Sequence, residues 1–94
     1  MGTVAMAIDS KLRERFTPAR LSVEDESSKH HGHAGWREGG GTHWRLAIVA
    51  PCFAGQSAVA RHRMVYQALG ELMHNPIHAL AITARTPDET KGRQ

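Results

Sequence analysis

The chain has 94 residues, of which 40% are hydrophobic, so it can build one small core but not two. Twelve lysines and arginines against nine acidic residues give a formal charge of +3, without the dense basic run of a nucleic-acid-binding tail. No apolar run approaches the roughly 20 residues that cross a bilayer, so we expect no membrane association. No signal peptide is visible and the single cysteine excludes an internal disulfide, which predicts a reducing, cytoplasmic setting.

The first two predicted elements are a helix over residues 3–16 and a strand over residues 20–25. Apolar side chains recur every four positions along the helix and define one face: Val4, Ile8, Leu12 and Phe16. The pair Thr17-Pro18 ends the helix, because a proline disfavours helical geometry in the residue before it. Apolar and polar residues alternate through the strand, which is typical of a half-buried strand.

Residues 26–42 are predicted to form a long flexible loop that is rich in histidine and glycine. Its five glycines indicate a backbone without a regular path. Three of the chain's seven histidines, His30, His31 and His33, lie within four residues of one another there. A loop of this length inside a compact domain is uncommon, and such loops are usually functional or disordered.

A second strand is predicted over residues 43–50, where Trp44, Leu46 and Ile48 share one face. The turn after it leads into a helix from Ala58 to His74. Apolar residues recur through this helix at three- and four-residue steps, which places them on one face.

The sequence also contains signals for both ends of this second helix and a pattern that predicts a third strand. Ser57 can cap the first turn with its hydroxyl, and Asn75-Pro76 stops the helix. A short, apolar and partly β-branched run then predicts a third strand over about residues 77–85. The polar residues 88–94 are predicted to be a frayed tail.

The predicted order is therefore α, β, β, α, β, with a short extra helical turn around Ser57 to Ala60. The first two strands can pair antiparallel across the long loop. The third strand comes after a helical crossover, so it can lie parallel to either of them. With both helices on one face of this three-stranded mixed sheet, the fold class is a two-layer α+β domain.

Histidines are the candidate metal ligands, because neutral imidazole binds zinc, copper and iron. His30 and His33 are separated by two residues in the loop, and His78 starts the last strand, where its side chain can be partly exposed. Each also has an ordinary interpretation, as a solvated loop histidine or as a strand-end histidine bonded to backbone. No complete zinc motif is present, so any site would be incomplete and shared with a partner.

The second predicted helix is the candidate nucleic-acid surface, because Arg61 and Arg63 could sit against phosphates. The two side chains diverge by about 200° around the helix, so we expect one to brace the sheet or a carboxylate and the other to face solvent. His62 is expected to be a core histidine, and Cys52 a small, semi-buried residue. The motifs of nucleophilic and phosphate-binding enzymes are missing, so we expect no catalysis.

The sequence contains the run Phe53-x-Gly55-x-Ser57-x-Val59-x-Arg61-His62-Arg63-x-Val65-Tyr66, followed by Ile77-His78-Ala79-Leu80 and Thr86-Pro87. Through these residues the chain resembles the BolA family. The likeness extends back to Val23-x-Asp25-Glu26-Ser27, so residues 1–94 are expected to be a single BolA-like domain. The family's fold resembles a type II KH domain and agrees with the element order above. The Gly-x-x-Gly clamp of KH domains is missing at the corresponding place.

The resemblance also implies a function and a site. BolA proteins pair with monothiol glutaredoxins and share a [2Fe-2S] cluster. The BolA chain supplies the histidine of the Ile-His-Ala-Leu motif and a histidine or cysteine from the loop between the first two strands. By position these are His78 and His30, with His33 as the reserve. Glutathione would come from the partner side, and the isolated chain would hold no cofactor. The implied function is an iron–sulfur accessory or regulatory protein for cluster trafficking or for iron and redox sensing.

Other functions stay open at this point. Some BolA proteins are described as DNA-binding transcriptional regulators of stress response and cell morphology, which makes Arg61 and Arg63 the implied nucleic-acid contacts. A third interpretation is a structural adaptor that uses the surface around His78 and Trp36 without metal. DNA and a homodimer of the apo chain are accordingly alternatives to glutaredoxin as partner.

Overall fold

The structure is a computed structural model that describes residues 3–26, 43–74 and 77–91. Its helices and strands come in the order α1 (Thr3–Phe16), β1 (Arg20–Asp25), β2 (His43–Val49), α2 (Ala58–Leu69), β3 (Ala79–Arg85) and α3 (Pro87–Lys91). Two short 3-10 turns flank α2, at Pro51–Phe53 and at Gly70–Met73. Within these ranges, none of the helices combines the length and the apolar character that spanning a membrane requires.

The three strands form one mixed sheet in the order β1-β2-β3. β1 pairs antiparallel with β2, and β3 lies parallel to β2. Helix α1 packs against β1 and α2 against β3, and the two helices contact each other. Both long helices therefore cover the same face, which confirms the predicted two-layer α+β architecture with its three-stranded mixed sheet.

The core lies between the helices and one face of the sheet. Its largest fully buried side chains are Phe53, Ile8, Leu12, Leu46, Ile48, Leu69 and Val65. Along β2, buried residues alternate with half-buried or exposed ones, as the sequence pattern predicts. Because strand side chains alternate between faces, a one-residue slip of β2 would turn its buried set toward solvent, and this specifies the register.

Helix α2 is shorter than predicted. The sequence predicts a helix from Ala58 to His74, but the α-helix ends at Leu69, because Gly70 takes φ +57° and ψ −124°. Glycine adopts such a backbone conformation at little cost, and the chain continues as a 3-10 turn. The predicted cap is confirmed, since the backbone N–H of Ala60 donates to Ser57 Oγ at 3.1 Å. The extra turn expected around Ser57 to Ala60 is instead the first turn of α2.

The end of the described chain holds a helix that is not among the predicted elements. Residues 88–94 are predicted to be a frayed tail, which is wrong for those that form α3, while residues 92–94 lie outside the described part. Thr86 and Glu89 form a capping box. The Glu89 N–H donates to Thr86 Oγ1 at 3.2 Å, and the Thr86 N–H donates to Glu89 Oε1 at 2.8 Å. Threonine three residues before glutamate, with a proline between them, is a sequence signal for this helix start.

Candidate metal centre

One end of the sheet carries His78 and both ends of the β1–β2 connection, on which the sequence predicts the other metal ligands. β2 begins at His43 and β3 at its register partner Ala79, so both strands start at this end. β1 runs the opposite way and finishes here, where the Glu26 N–H donates to the His43 carbonyl oxygen at 2.8 Å. The β1–β2 connection therefore departs and returns beside the start of β3, next to His78. We call this the His78 end of the sheet.

His78 immediately precedes β3, and its side chain is exposed. The residue before it, Ile77, is buried in the core, and its N–H donates to the Leu72 carbonyl oxygen at 3.0 Å. The backbone is thus anchored while the imidazole faces solvent. A side chain in this position can bind a metal ion or contact another protein while the core packing stays unchanged.

A second imidazole, which is not among the predicted ligands, lies beside His78. The ring centroids of His43 and His78 are 5.8 Å apart and their planes are inclined by 36°. His43 is half-buried. The sequence did contain a signal for this proximity: His43 starts the second predicted strand and His78 the third, and two parallel neighbouring strands must begin at the same end of a sheet. What the sequence left open was whether β3 pairs with β1 or with β2.

The loop candidates His30 and His33 lie outside the described residues, as do His31 and Trp36. The structure brings both ends of their connection to the His78 end of the sheet. Within residues 3–26, 43–74 and 77–91, no three histidines, cysteines or carboxylates come together as a possible metal site. The described side chains alone therefore do not make up a complete coordination sphere.

A cleft of about 230 Å³ opens at the same end, lined by Glu26, His43, Trp44, Ala79, Leu80 and Ala81. Arg45 Nε donates to Glu26 Oε2 at 2.9 Å, which holds this carboxylate in place. Trp44 is only 4% exposed, and among the described residues its indole Nε1–H has no hydrogen-bond acceptor. A buried donor without an acceptor costs about 1–3 kcal/mol. The cleft thus joins an imidazole, an anchored carboxylate and an unpaired buried donor.

Cys52 lies at the opposite end of the sheet, in the 3-10 turn that comes after β2. The prediction that Cys52 is semi-buried is wrong: the turn buries Phe53 and leaves the thiol exposed. At about 3.3 Å per residue, the length of β2 separates it from His43 by roughly 20 Å. Cys52 therefore does not belong to the candidate centre. His62, expected in the core, is half-buried in α2.

The two arginines of α2 are held differently. The side chain of Arg61 is 12% exposed, and its Nη1 and Nη2 donate to the two carboxylate oxygens of Glu89 at 2.7 and 2.9 Å. Nη1 also donates to the Ala84 carbonyl oxygen and Nε to that of Gln56, both at 2.9 Å. Arg61 thus braces a carboxylate and the sheet, as expected for one of the pair, while Arg63 is exposed.

This geometry bears on the predicted nucleic-acid contacts. Four of the five N–H donors of Arg61 are occupied, so little remains for a phosphate. The prediction that Arg61 contacts nucleic acid is not supported by its surroundings. The same prediction for Arg63 stays a prediction.

Arg61→Ala is expected to lower the free energy of unfolding by about 2 kcal/mol, because it removes a charge-assisted hydrogen bond to the Ala84 carbonyl and the packing of the arginine stem. The more exposed ion pair with Glu89 adds little at the surface. Denaturant unfolding measures the difference. Arg63→Ala is the matched control, and we expect it to stay within about 0.5 kcal/mol. Equal losses for both variants would contradict the assigned role of Arg61.

The Arg61–Glu89 contact also predicts a pH dependence. The hydrogen bond from Arg61, followed by that from the Thr86 N–H, lowers the pKa of Glu89 from 4.5 to about 2. Because the folded-state pKa is the lower one, the carboxylate stabilises the fold above about pH 4.5, and this contribution is lost as the pH falls toward 2. Glu89→Gln should therefore be less stable than the parent at neutral pH, with a difference that shrinks between pH 4.5 and 2. Unfolding curves at a series of pH values, with Glu71→Gln as control, measure this; a difference that does not change with pH would contradict it.

Comparison with known proteins identifies the family. The family model of BolA-like proteins matches residues 12–89. The chain belongs to the BolA family. BolA-like protein 1 of Homo sapiens is 46% identical over 93% of this chain and 61% of its own length. The solved BolA domain of SufE1 from Arabidopsis thaliana superposes on this BolA fold with a TM-score of 0.85 and 42% identity, covering 95% of this chain and 98% of that domain.

Two further BolA relatives carry different names. SufE-like protein 1, chloroplastic/mitochondrial, of Arabidopsis thaliana is 42% identical over 95% of this chain, which spans only 25% of that protein. A protein of Haemophilus influenzae named DNA-binding transcriptional regulator BolA is 34% identical over 97% of this chain and 84% of its own length. The chain thus spans from a quarter to about three fifths of the SufE-like and human relatives. Since the plant relative is named for chloroplasts and mitochondria, a cytoplasmic location for this chain stays a prediction.

Proposed function

We propose that this BolA chain binds a monothiol glutaredoxin and contributes imidazole ligands to a [2Fe-2S] cluster held between the two proteins. The observation that carries the proposal is the exposed His78, at the end of the sheet where the β1–β2 connection is also attached. An exposed imidazole can reach iron presented by a second protein, whereas a buried one could not. On this proposal the chain is an accessory protein for cluster trafficking or for iron and redox sensing, and not an enzyme.

The donor set of this chain fits such a cluster. Imidazole is a good ligand for iron, and two histidines on one iron occur in Rieske-type clusters. His78 supplies one imidazole, and a second histidine of this chain supplies the other; from the sequence the candidates are His30 and His33. Thiolate ligands come from the glutaredoxin cysteine and from glutathione, because Cys52 lies at the far end of the sheet.

Histidine ligation suits a cluster that is sensed or passed on. When bound, a cluster with imidazole ligands has a higher reduction potential than one held by cysteines alone. Protons compete with metal ions for imidazole nitrogens, which is a general property of histidine ligands such as the proposed His78. Its exposure at the start of β3 also lets an accepting protein approach.

The experiment mixes the chain with a monothiol glutaredoxin, glutathione, ferrous iron and sulfide under anaerobic conditions. Size-exclusion chromatography with visible absorption should show a coloured heterodimer, with a spectrum that differs from that of the glutaredoxin alone with its cluster. Colour that elutes only with the glutaredoxin, or a chain that forms only its own homodimer, would contradict the proposal.

Binding of duplex DNA is a second candidate function, favoured by the relative named as a DNA-binding transcriptional regulator. The formal charge of +3 and the exposed Arg63 support it, whereas Arg61 is occupied by Glu89. The isolated chain should then bind DNA with an affinity that falls steeply as salt rises. Arg63→Ala should reduce the slope of log affinity against log salt by about one. Absence of saturable binding at about 50 mM salt would count against this function.

A further inference from the structure

We propose that His43 supplies the second imidazole at the His78 end of the sheet, so that His43 and His78 together form a two-histidine half-site for a late first-row metal ion. This inference names a ligand for the cluster and in that respect rests on the proposed function. The half-site itself needs no partner, because both imidazoles belong to the described part of one chain.

The distance between the rings suits a shared metal ion. A metal–nitrogen bond of about 2.0–2.1 Å places each imidazole centroid about 3 Å from the ion, so two rings in tetrahedral geometry lie about 5 Å apart. The observed 5.8 Å is close to this value. A small rotation of the exposed His78 side chain closes the gap, and the 36° inclination shows that the rings are not stacked face to face.

The backbone holds His43 in place for this role. Its carbonyl oxygen accepts the Glu26 N–H, and it stands in register with Ala79, the first residue of β3. His78 comes just before that strand, so the alternation of strand side chains does not fix the direction of its ring. The ring lies at the end of the sheet, near that of His43. Both imidazoles of this pair therefore belong to residues that the backbone of the sheet and its edge already position, which lowers the entropic cost of binding.

The cleft beside His43 leaves room for the remaining ligands. His43 lines it together with Trp44, whose buried indole N–H has no acceptor among the described residues. Two imidazoles alone leave coordination positions open on a late first-row metal ion. A second molecule that approaches through the cleft can fill them.

The first test uses the isolated chain, with zinc ion as the probe, in a variant that lacks the loop imidazoles: His30→Ala, His31→Ala and His33→Ala together. We expect this background to retain one zinc site by calorimetry, with nitrogen-15 imidazole resonances of His43 and His78 shifting together. Adding His43→Ala or His78→Ala should weaken binding at least tenfold, and the double substitution should cost little more than either one. His62→Ala is the control and should leave binding unchanged.

The outcomes of the zinc test separate the alternatives. Loss of zinc binding in the background without loop imidazoles would overturn the proposal, as would unchanged binding after His43→Ala. Because His43 is half-buried, thermal unfolding and His43→Asn accompany the test. His43→Asn should keep the fold but bind zinc as weakly as His43→Ala.

The second test concerns the cluster. In the reduced heterodimer with glutaredoxin, pulsed electron paramagnetic resonance on histidine-labelled chain should detect two imidazole nitrogens bound to iron, and only one after His43→Ala. If His30→Ala removes one nitrogen and His43→Ala removes none, the loop supplies the ligand: this inference fails and the proposed function stands. If no heterodimer forms, the proposed function fails, and the zinc measurement alone decides whether the half-site exists.

Discussion

Replacing His78 with alanine is expected to reduce cluster retention in the heterodimer at least tenfold while leaving the fold intact. His78 is exposed and lies outside the strand, so its removal creates no core cavity and should change the free energy of unfolding by no more than about 0.5 kcal/mol. The expected loss is instead that of one iron ligand, because water would replace the positioned imidazole. Visible absorption per heterodimer during chelator challenge measures retention, and denaturant unfolding measures stability.

Two further variants sharpen this test. His74→Ala removes another exposed histidine, which lies just after the second 3-10 turn, and should leave cluster retention unchanged. His78→Cys should restore retention with an altered spectrum, because thiolate also binds iron in these clusters. A parent-like spectrum and parent-like retention in His78→Ala would refute the assigned role of this histidine.

Phe53→Ala is expected to have the largest effect on stability, a loss of about 3–5 kcal/mol. The ring is fully buried in the 3-10 turn between β2 and α2. Its centroid lies 5.3 Å from that of Phe16, and the Arg61 guanidinium carbon lies 6.0 Å from it. Alanine would leave a cavity where α1, the turn and α2 meet. Since domains of this size are stable by about 5–15 kcal/mol, the variant should retain only a fraction of its stability.

Thermal and denaturant unfolding measure this loss, which corresponds to a melting temperature lower by about 20 °C for a domain of this length. Val59→Ala is the matched control, because Val59 is 60% exposed at the start of the next helix and should change stability by less than about 0.5 kcal/mol. A loss below about 1 kcal/mol in Phe53→Ala would show that the turn can collapse around the smaller side chain.

The local sequence was sufficient for most of the elements, because their signals lie within a few residues. The four-residue spacing of apolar side chains before Thr17-Pro18 predicted α1 with its observed bounds, and alternation predicted β1. The failures were local as well. A backbone turn at Gly70 shortened α2, and the capping box of Thr86 and Glu89 started a helix in a segment predicted to be frayed.

The candidate site depended on both levels of structure. His78 could be named from the Ile-His-Ala-Leu motif, and its exposure agrees with its place before β3. His43 could not be chosen from the sequence, because its place beside His78 depends on whether β3 pairs with β1 or with β2, which the sequence left open. Likewise, spacing showed that Arg61 and Arg63 point apart, but only the position of Glu89 on α3 decided which one is held.

The sequence by itself determined the order of elements, the apolar faces that pack together, the family and the identity of one exposed imidazole. Only the tertiary structure decided that β3 lies beside β2, that the β1–β2 connection is attached at the His78 end, and that a second imidazole lies 5.8 Å from the first. The physical reason is that strand pairing joins residues far apart in the chain. The partner and register of such a pair depend on how the whole helical layer packs on the sheet, and no local pattern records them.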